Sequence, residues 1–458
     1  MLRRLLCFLL AVAACAGATP TPTPATPPPS APRPALAAGG DAHDPDAIAR
    51  RVVGQLAARE FAAVEARFDV RMQDGLPVAK LEVVWDQLQT AAGAFERIAS
   101  SSTKDANGAH VVSVVTQFAR ARLVLLISLD DAGRIGGFFV RPGETAADWQ
   151  PPLYARLDAI EDRAVTVTVG PRALPGTLTV PHGAGPFPAV VLVHGSGPSD
   201  ADETIGAIKV FKDLALGLAS RGVAVLRYEK RTHADSAAVR TQREEVEDAA
   251  HAAVALLRAT RGIDARRIAL LGHSQGGYLA PRIAKADPAI RGLIIFAGPT
   301  RPLEDSLLAQ ARYLAARSPA DDKLAALVAG AEQFKQAVES PALKPDDTIA
   351  LPTGGSAPGS YFLDVRGYHP EQVAASLAIP IAVLQGERDY QVTVADDLAA
   401  WKAALGQRKT AVFHSYPTAN HAFVAGTGAS TPDEYNRPGH VDARVIDDLV
   451  AWLTALGK

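Results

Sequence analysis

Cysteine is nearly absent from this 458-residue chain: Cys7 and Cys15 are the two present, and both lie close to the start. The rest of the sequence cannot depend on an internal disulfide, even in an oxidising compartment. An excess of one charge is missing too, since 47 Lys and Arg stand against 49 Asp and Glu for a formal net charge of -2. Without Arg3 and Arg4 the balance becomes -2 - 2 = -4. So mild an imbalance gives no reason to expect nucleic acid as a partner. No His, Cys, Asp and Glu cluster has metal-ligand spacing and no glycine loop suits a phosphate, so no cofactor is expected. Long apolar runs are lacking as well. The stretch from Leu5 to Ala14 is too short to span a bilayer as a permanent helix.

What is present begins with a basic start, Met1-Leu2-Arg3-Arg4, followed by that apolar stretch. Residues 1–18 read as a bacterial export signal, which gives the expectation of a periplasmic protein. Val12-Ala13-Ala14-Cys15 resembles a lipobox, in which Cys15 would be lipidated and attach the chain to a membrane as an outer-membrane lipoprotein facing the periplasm. The alternative is ordinary cleavage soon after Ala14. Residues 19–43 form a linker whose Thr, Pro, Ala and Ser alternation has no apolar face, which predicts an extended tether. With 48% hydrophobic content, the remainder has room for a small domain and a full-sized one.

Residues 44–141 make the first unit. The patterning predicts helices over 45–56, 61–68 and 81–98, then a meander of strands over 111–118, 121–129 and 135–140 with an Asp-Asp-Ala-Gly turn before the last. A small α+β cone or sandwich follows from that order. It offers no set of nucleophile, base and acid, so its role is shielding, spacing or substrate recruitment. Residues 142–152 form the junction.

From 155 to 458 the order changes to strand and helix in alternation. Strands are predicted over 164–169, 178–180, 189–193, 223–226, 268–271, 292–296, 379–385 and 411–413, with helices over 209–220, 243–261 and 442–456. Such a series predicts an α/β, doubly wound and mostly parallel sheet with its chemistry at the carboxyl ends of the strands. Residues 301–369 interrupt the order and, with a 303–340 portion that looks helical, are read as a cap over the pocket.

The most informative segment is Leu270-Leu271-Gly272-His273-Ser274-Gln275-Gly276-Gly277, an apolar strand running into a Gly-x-Ser-x-Gly turn and then a helix. The chain must reverse sharply there, which suits glycine on both sides of an exposed serine. Ser274 is the expected nucleophile. A serine hydroxyl needs an imidazole to take its proton and a carboxylate to hold that imidazole in the useful tautomer. Asp389, in the turn after Val383-Leu384-Gln385-Gly386, is the expected acid, with Glu387 a solvated or salt-bridged neighbour. His421, in the loop after the last strand, is the expected base, with His414 and His440 assigned structural roles. His273 is adjacent in sequence only and is expected to pack or hydrogen-bond.

Ser196 competes as a nucleophile, but it lies in His194-Gly195-Ser196-Gly197-Pro198, where small residues let backbone amides approach a substrate. The Ser196 N–H and the Gln275 N–H are therefore expected to form an oxyanion hole, with the His194 ring anchoring the loop. Arg227, Glu229, Lys230 and Arg231 form a charged run near the expected pocket rim. They read either as a site for a carboxylate-bearing substrate or as an ion-pair network, with Asp200, Asp202 and Glu203 as partners.

These motifs, together with Thr204-Ile205-Gly206, Phe211-Lys212-Asp213-Leu214-Ala215 and Leu226-Arg227-Tyr228-Glu229-Lys230-Arg231, make the region from 155 to 458 resemble the α/β-hydrolase superfamily. More narrowly it resembles exported bacterial esterases of the EstD type, relatives of the dienelactone-hydrolase and serine-aminopeptidase-like groups. The resemblance implies Ser274 as nucleophile, Asp389 as acid, His421 as base, backbone amides at Ser196 and Gln275 as the oxyanion hole, and a small-molecule ester as substrate. Glu229 departs from the Asp that such relatives commonly carry. Residues 44–141 resemble the small cone-like α+β domain often joined to these hydrolases. A serine peptidase or thioesterase could use the same three side chains, and an envelope binding protein that kept the fold is the non-enzymatic alternative. Oligomeric state is not legible in the sequence.

Overall fold

The computed structural model describes residues 44–106, 109–142, 149–234 and 239–457. The export, lipobox and tether readings at 1–43, and part of the junction, lie outside the described residues. The chain divides into two compact units between Thr145 and Ala146.

In the small unit, α1 (Pro45–Ala57) starts on Asp44, whose carboxylate accepts the Asp46 N–H, with proline at the first helical position. Ile48, Val52, Val53 and Leu56 recur at helical spacing and are buried. A second long helix, α2 (Val78–Ala92), buries Leu81, Trp85, Leu88 and Ala92. The expected 81–98 helix is corrected here. Gly93, at φ 88°, ends it, and Phe95 opens a strand. The sheet is a four-stranded antiparallel meander of β1 (Phe95–Ala106), β2 (Ala109–Phe118), β3 (Arg122–Leu129) and β4 (Ile135–Pro142). The pattern of three strands missed β1, because its Ser-Ser-Ser-Thr-Lys stretch has no apolar alternation and its register slips twice against β2. The expected 61–68 helix shortens to Phe61–Glu65. Asp130 closes the predicted turn by accepting from the Ala132 and Arg134 N–H groups.

The large unit carries an eight-stranded sheet. β5 (Ile160–Val169) and β6 (Arg172–Pro181) are antiparallel, and β7 (Phe187–Val193), β8 (Ala224–Tyr228), β9 (Ile263–His273), β10 (Gly292–Phe296), β11 (Ile381–Gly386) and β12 (Ala411–Tyr416) are parallel to one another. The order across the sheet is β12-β11-β10-β9-β7-β8-β6-β5. Alternate residues feed two cores, as a sheet covered on both faces requires. Val191, Val193, Leu226, Leu270 and Ile295 meet α4 (Asp248–Ala259) and α5 (Gln275–Ala286). Val190, Leu192, Leu271, Ile294 and Phe296 meet α3 (Val210–Ala219) and α8 (Ala443–Ala455). The segments that follow β7, β9, β11 and β12 carry Ser196, Ser274, Asp389 and His421, so all four come off the carboxyl edge of the sheet.

The interruption at 301–369 holds α6 (Leu303–Arg317) and α7 (Asp322–Glu339), a small hairpin of Thr348–Ala350 with Ser356–Pro358, and a short helix Gly359–Leu363. Phe334, Val338, Ile349 and Phe362 give it a core of its own. Arg301 at one end is held by Asp397, and Asp364 near the other pairs with Arg282.

The cores of the two units share no residue. Leu270→Ala is therefore expected to cost the large unit about 2–5 kcal/mol, and Trp85→Ala to cost the small unit about 3–5 kcal/mol. Scanning calorimetry of each variant against the wild type should show the loss as a lowered melting transition.

Candidate active site

The turn between β9 and α5 owes its shape to bare backbone. A Cβ on Gly272 would stand 2.2 Å from the Gly276 carbonyl oxygen, and one on Gly276 would stand 2.2 Å from the Val193 oxygen. No side chain can be accommodated at either position. Between them Ser274 takes φ 52° and ψ -116°, strained for any residue with a Cβ, and its N–H is held by the Phe296 carbonyl at 3.0 Å. Ser274 remains partly exposed while its neighbours on both sides are buried. Among the described residues five non-glycines have positive φ, and four of them, Glu203, Ser274, Ala297 and Phe423, flank this region. Backbone strain of this kind collects where a side chain must be presented rather than packed.

The structure brings His421 and Asp389 together. His421 Nδ1 lies 2.6 Å from Asp389 Oδ2, and each residue is 5% exposed. The Asp389 carboxylate also accepts from the Gln385 side chain (3.1 Å) and from the N–H groups of Gln391 (2.8 Å) and Val392 (3.0 Å). A carboxylate accepts only, so His421 Nδ1 carries the proton of this bond. The loop that carries His421 is braced by Asn420, whose side chain accepts the Ala422 and Val424 N–H groups and donates to Glu434.

A second histidine pair adjoins the first. His273 Nδ1 lies 2.9 Å from Glu203 Oε2, its Nε2 lies 3.1 Å from the His421 carbonyl oxygen, and its ring packs 4.8 Å from the His421 ring. Both partners are acceptors, so His273 donates from both nitrogens as an imidazolium. Burial pushes its pKa down, but the Glu203 charge and hydrogen bond, with the His421 carbonyl, outweigh that and the net shift is upward. Burial pushes Glu203 up, and the His273 charge and hydrogen bond bring it below the ordinary value. His273 thus makes a buried ion pair with Glu203 and, through Nε2, a hydrogen bond that tethers the Ser274 turn to the His421 loop. His194 is also structural: it packs against Phe211 and Tyr228, lies 3.1 Å from the Asp200 oxygen, and is pushed by burial to about 4.

The Gly195 N–H is taken by Glu203 Oε1 at 2.7 Å, which leaves the Ser196 N–H, on an exposed residue, as the next donor along the loop. Gln275 opens α5, so its N–H belongs to a first helical turn without an intrahelical acceptor. The loop comes close to the nucleophile, since a Cβ built on Gly195 would lie 3.1 Å from the Ser274 Cβ.

The pocket-rim reading of the charged run is corrected. Arg227 (4%), Lys230 (2%) and Arg231 (8%) are buried and spend their charges on protein partners. Arg227 bonds Asp202 and Thr179, Arg231 reaches Glu244, and Glu229, half-buried, pairs with His233. Desolvated charges persist only with partners, and the run forms the ion-pair network that was the alternative. Asp202 is a partner as expected, whereas Glu203 turns to His273 and Asp200 to Thr204. Glu387 bonds Ser415, His414 pairs with Asp448 and His440 with Asp213.

Sequence reasoning missed Glu245 and Tyr361. Glu245 lies in a single π-helical turn, Arg243–Glu247, ahead of α4, and Tyr361 in the Gly359–Leu363 helix of the cap. The Gln275 side chain donates to the Tyr361 hydroxyl at 2.7 Å, which donates to Glu245 at 2.5 Å. No periodicity marks either residue, because neighbours distant in sequence create their roles. Tyr313, also in the cap, stacks on Tyr390 with ring centroids 4.7 Å apart. Among the described residues no group of three or more His, Cys, Asp and Glu is arranged to hold a metal ion.

Residues 190–437 match the model of the alpha/beta hydrolase family, and residues 49–138 match that of a protein of unknown function, DUF3887. The chain is 36% identical over 381 residues to Esterase EstD of Thermotoga maritima, covering 82% of this chain and 88% of that protein. Among solved structures, Est1E from Butyrivibrio proteoclasticus is 16% identical with a TM-score of 0.42, over 64% of this chain and 99% of that one. The Pyrococcus horikoshii acylaminoacyl peptidase is 14% identical with a TM-score of 0.47, over 80% and 57% respectively.

The His273–Glu203 pair sets a pH window. The raised pKa of His273 contributes stability that is complete below its ordinary 6.5 and is lost as pH climbs through the folded value. The lowered pKa of Glu203 contributes stability that is complete above its ordinary 4.5 and is lost as pH falls through the folded value. Glu203→Gln is therefore expected to lower Tm most between pH 4.5 and 6.5, with a smaller deficit on either side, as thermal melts across pH will show.

Proposed function

Because the chain belongs to the alpha/beta hydrolase family, we propose that it is a carboxylesterase cleaving small or medium acyl esters through Ser274, His421 and Asp389. The observation that carries this reading is the 2.6 Å bond from His421 Nδ1 to Asp389, made beside the strained turn that presents Ser274. His421 Nε2 takes the Ser274 Oγ proton as Oγ attacks the ester carbonyl carbon, and the carbonyl electrons move onto oxygen. The Ser196 and Gln275 N–H groups stabilise that oxyanion, each worth roughly 3 kcal/mol in the transition state. Collapse breaks the ester C–O bond, and the alcohol leaves with the proton held by His421. A water, deprotonated by the same imidazole, then attacks the acyl-serine; the acid departs and Ser274 regains its proton.

The name of the Thermotoga relative, an esterase, supports ester over amide. An aminopeptidase-like reading also calls for a fixed acidic group to receive a substrate amino terminus. The buried carboxylates Asp389, Glu203 and Glu245 are each already engaged, by His421, His273 and Lys230. Envelope placement is part of the proposal and rests on the basic-apolar start and the lipobox-like Val12–Cys15 run.

Ser274→Ala is expected to leave Tm unchanged and to lower p-nitrophenyl acetate or butyrate turnover by about 10,000-fold or more. Asp389→Asn should lose on the order of 1,000- to 10,000-fold, by leaving the imidazole in the wrong tautomer. Retention of full turnover by Ser274→Ala would exclude Ser274 as the nucleophile, whereas a wild type with neither turnover nor fluorophosphonate labelling would favour a binding role. For the envelope, Cys15→Ser should abolish incorporation of an alkyne-labelled fatty acid in a bacterial host; equal labelling of both forms would remove Cys15 as the attachment point.

A further inference from the structure

Lys230 is 2% exposed, and its ammonium group has three acceptors for its three protons: the Gly195 carbonyl oxygen at 2.8 Å, Gln275 Oε1 at 3.0 Å and Glu245 Oε1 at 3.1 Å. Two of those partners belong to the residues around the expected oxyanion donors. The Gly195 carbonyl and the Ser196 N–H are opposite ends of one peptide, and a trans peptide points them in opposite directions. Drawing the oxygen inward to a buried cation therefore aims the Ser196 N–H outward, on the loop that approaches Ser274. A positive charge at the oxygen end also polarises the peptide and strengthens the N–H as a donor. The second donor, the Gln275 N–H, sits on a residue whose side chain the same cation fixes.

The arrangement closes into a ring. Lys230 holds Gln275 Oε1, Gln275 Nε2 donates to Tyr361, Tyr361 donates to Glu245, and Glu245 returns to Lys230. Thr232 donates to Glu245 as well, and the Lys230 N–H bonds the Ser199 oxygen, tying down the far end of the 194–200 loop. Burial and the Glu245 charge push the Tyr361 hydroxyl well above its ordinary value, so it stays a neutral donor.

We propose that Lys230 is a positioning residue of the oxyanion hole, which sets the orientation of the Gly195–Ser196 peptide and of Gln275 together, and that the cap participates through Tyr361. The inference rests on Ser274 acting as the acyl-accepting nucleophile. It predicts a defect confined to the transition state, because the two N–H groups matter most when charge develops on the substrate oxygen.

The test compares wild type, Lys230→Met and the double variant Lys230→Met/Glu245→Gln. The double variant removes both charges, so that no unpaired carboxylate stays buried to oppose folding. Active sites are titrated to completion with a fluorophosphonate, and rates with p-nitrophenyl butyrate are expressed per titrated site. Both variants are expected to lose on the order of 10- to 100-fold in kcat, with KM changed by less than about twofold. Inhibition by butylboronic acid, whose serine adduct places a tetrahedral oxygen in the hole, should weaken by the same factor as kcat/KM. A folded double variant with wild-type kcat per site, or a loss expressed in KM alone, overturns the inference. A wild type that turns over no ester and takes no label at Ser274 overturns the esterase reading itself, before any variant is compared.

Discussion

Contact between bare backbones at the end of β9 is the constraint on which the site depends. With the Gly276 oxygen and the Val193 oxygen each 2.2 Å from where a methyl would stand on Gly272 and Gly276, β7, β9 and α5 approach as closely as the chain allows. That approach forces Ser274 into its positive-φ conformation and leaves its side chain projecting from the sheet edge. It also brings the loop after β7 beside the serine. A single steric requirement thereby sets the place of the hydroxyl and of the amides meant to serve it.

Charges buried around this turn divide into two kinds by what they leave free. The His273–Glu203 pair and the Lys230–Glu245 pair use every donor they have on protein acceptors, so they act as struts. His421 differs: its Nδ1 is committed to Asp389, and its Nε2 is the nitrogen assigned to the Ser274 proton in the proposed reaction. The charged His273 beneath the ring of His421 does not compete for the serine proton, since it has no basic nitrogen left.

Much of this was legible in the sequence, and the boundary between what was and was not has a physical basis. Ser274 and Asp389 follow buried strands and His421 a half-buried edge strand, in turns whose glycines and polar residues are local signals, and the strand-helix alternation fixes the sheet edge they share. The insertion at 301–369, with its two long helices, was visible as a break in that alternation. The strand β1 escaped because a polar, bulged edge strand has no period of two to detect. The charged run after β8 was read as a rim for another reason. Arg and Lys are exposed by default, and burial of Lys230 becomes visible only when Gly195, Gln275 and Glu245, from three separate segments, are brought around it.

A buried ammonium group is a costly way to brace a loop if stability is all that matters, since apolar residues of similar volume often serve as well or better. Its retention beneath the Gly195–Ser196 peptide makes sense if the gain lies in direction. An apolar side chain can fill the space, but it cannot choose which face of a peptide plane turns inward, whereas a cation attracts the carbonyl end and by geometry sends the N–H end the other way. The same reasoning accounts for the neutral members of the ring. Gln275 has its amide orientation set by Lys230 on one side and Tyr361 on the other, so the residue beside the nucleophile cannot rotate its side chain without breaking two buried hydrogen bonds at once. Because Tyr361 belongs to the 301–369 insertion, displacement of that segment would remove the hydroxyl that bridges Gln275 and Glu245 and leave the Gln275 amide only its longer contacts to Gln242 (3.3 Å) and Glu245 (3.5 Å). Cap position and the geometry of the expected oxyanion donors are in this way parts of one hydrogen-bonded unit.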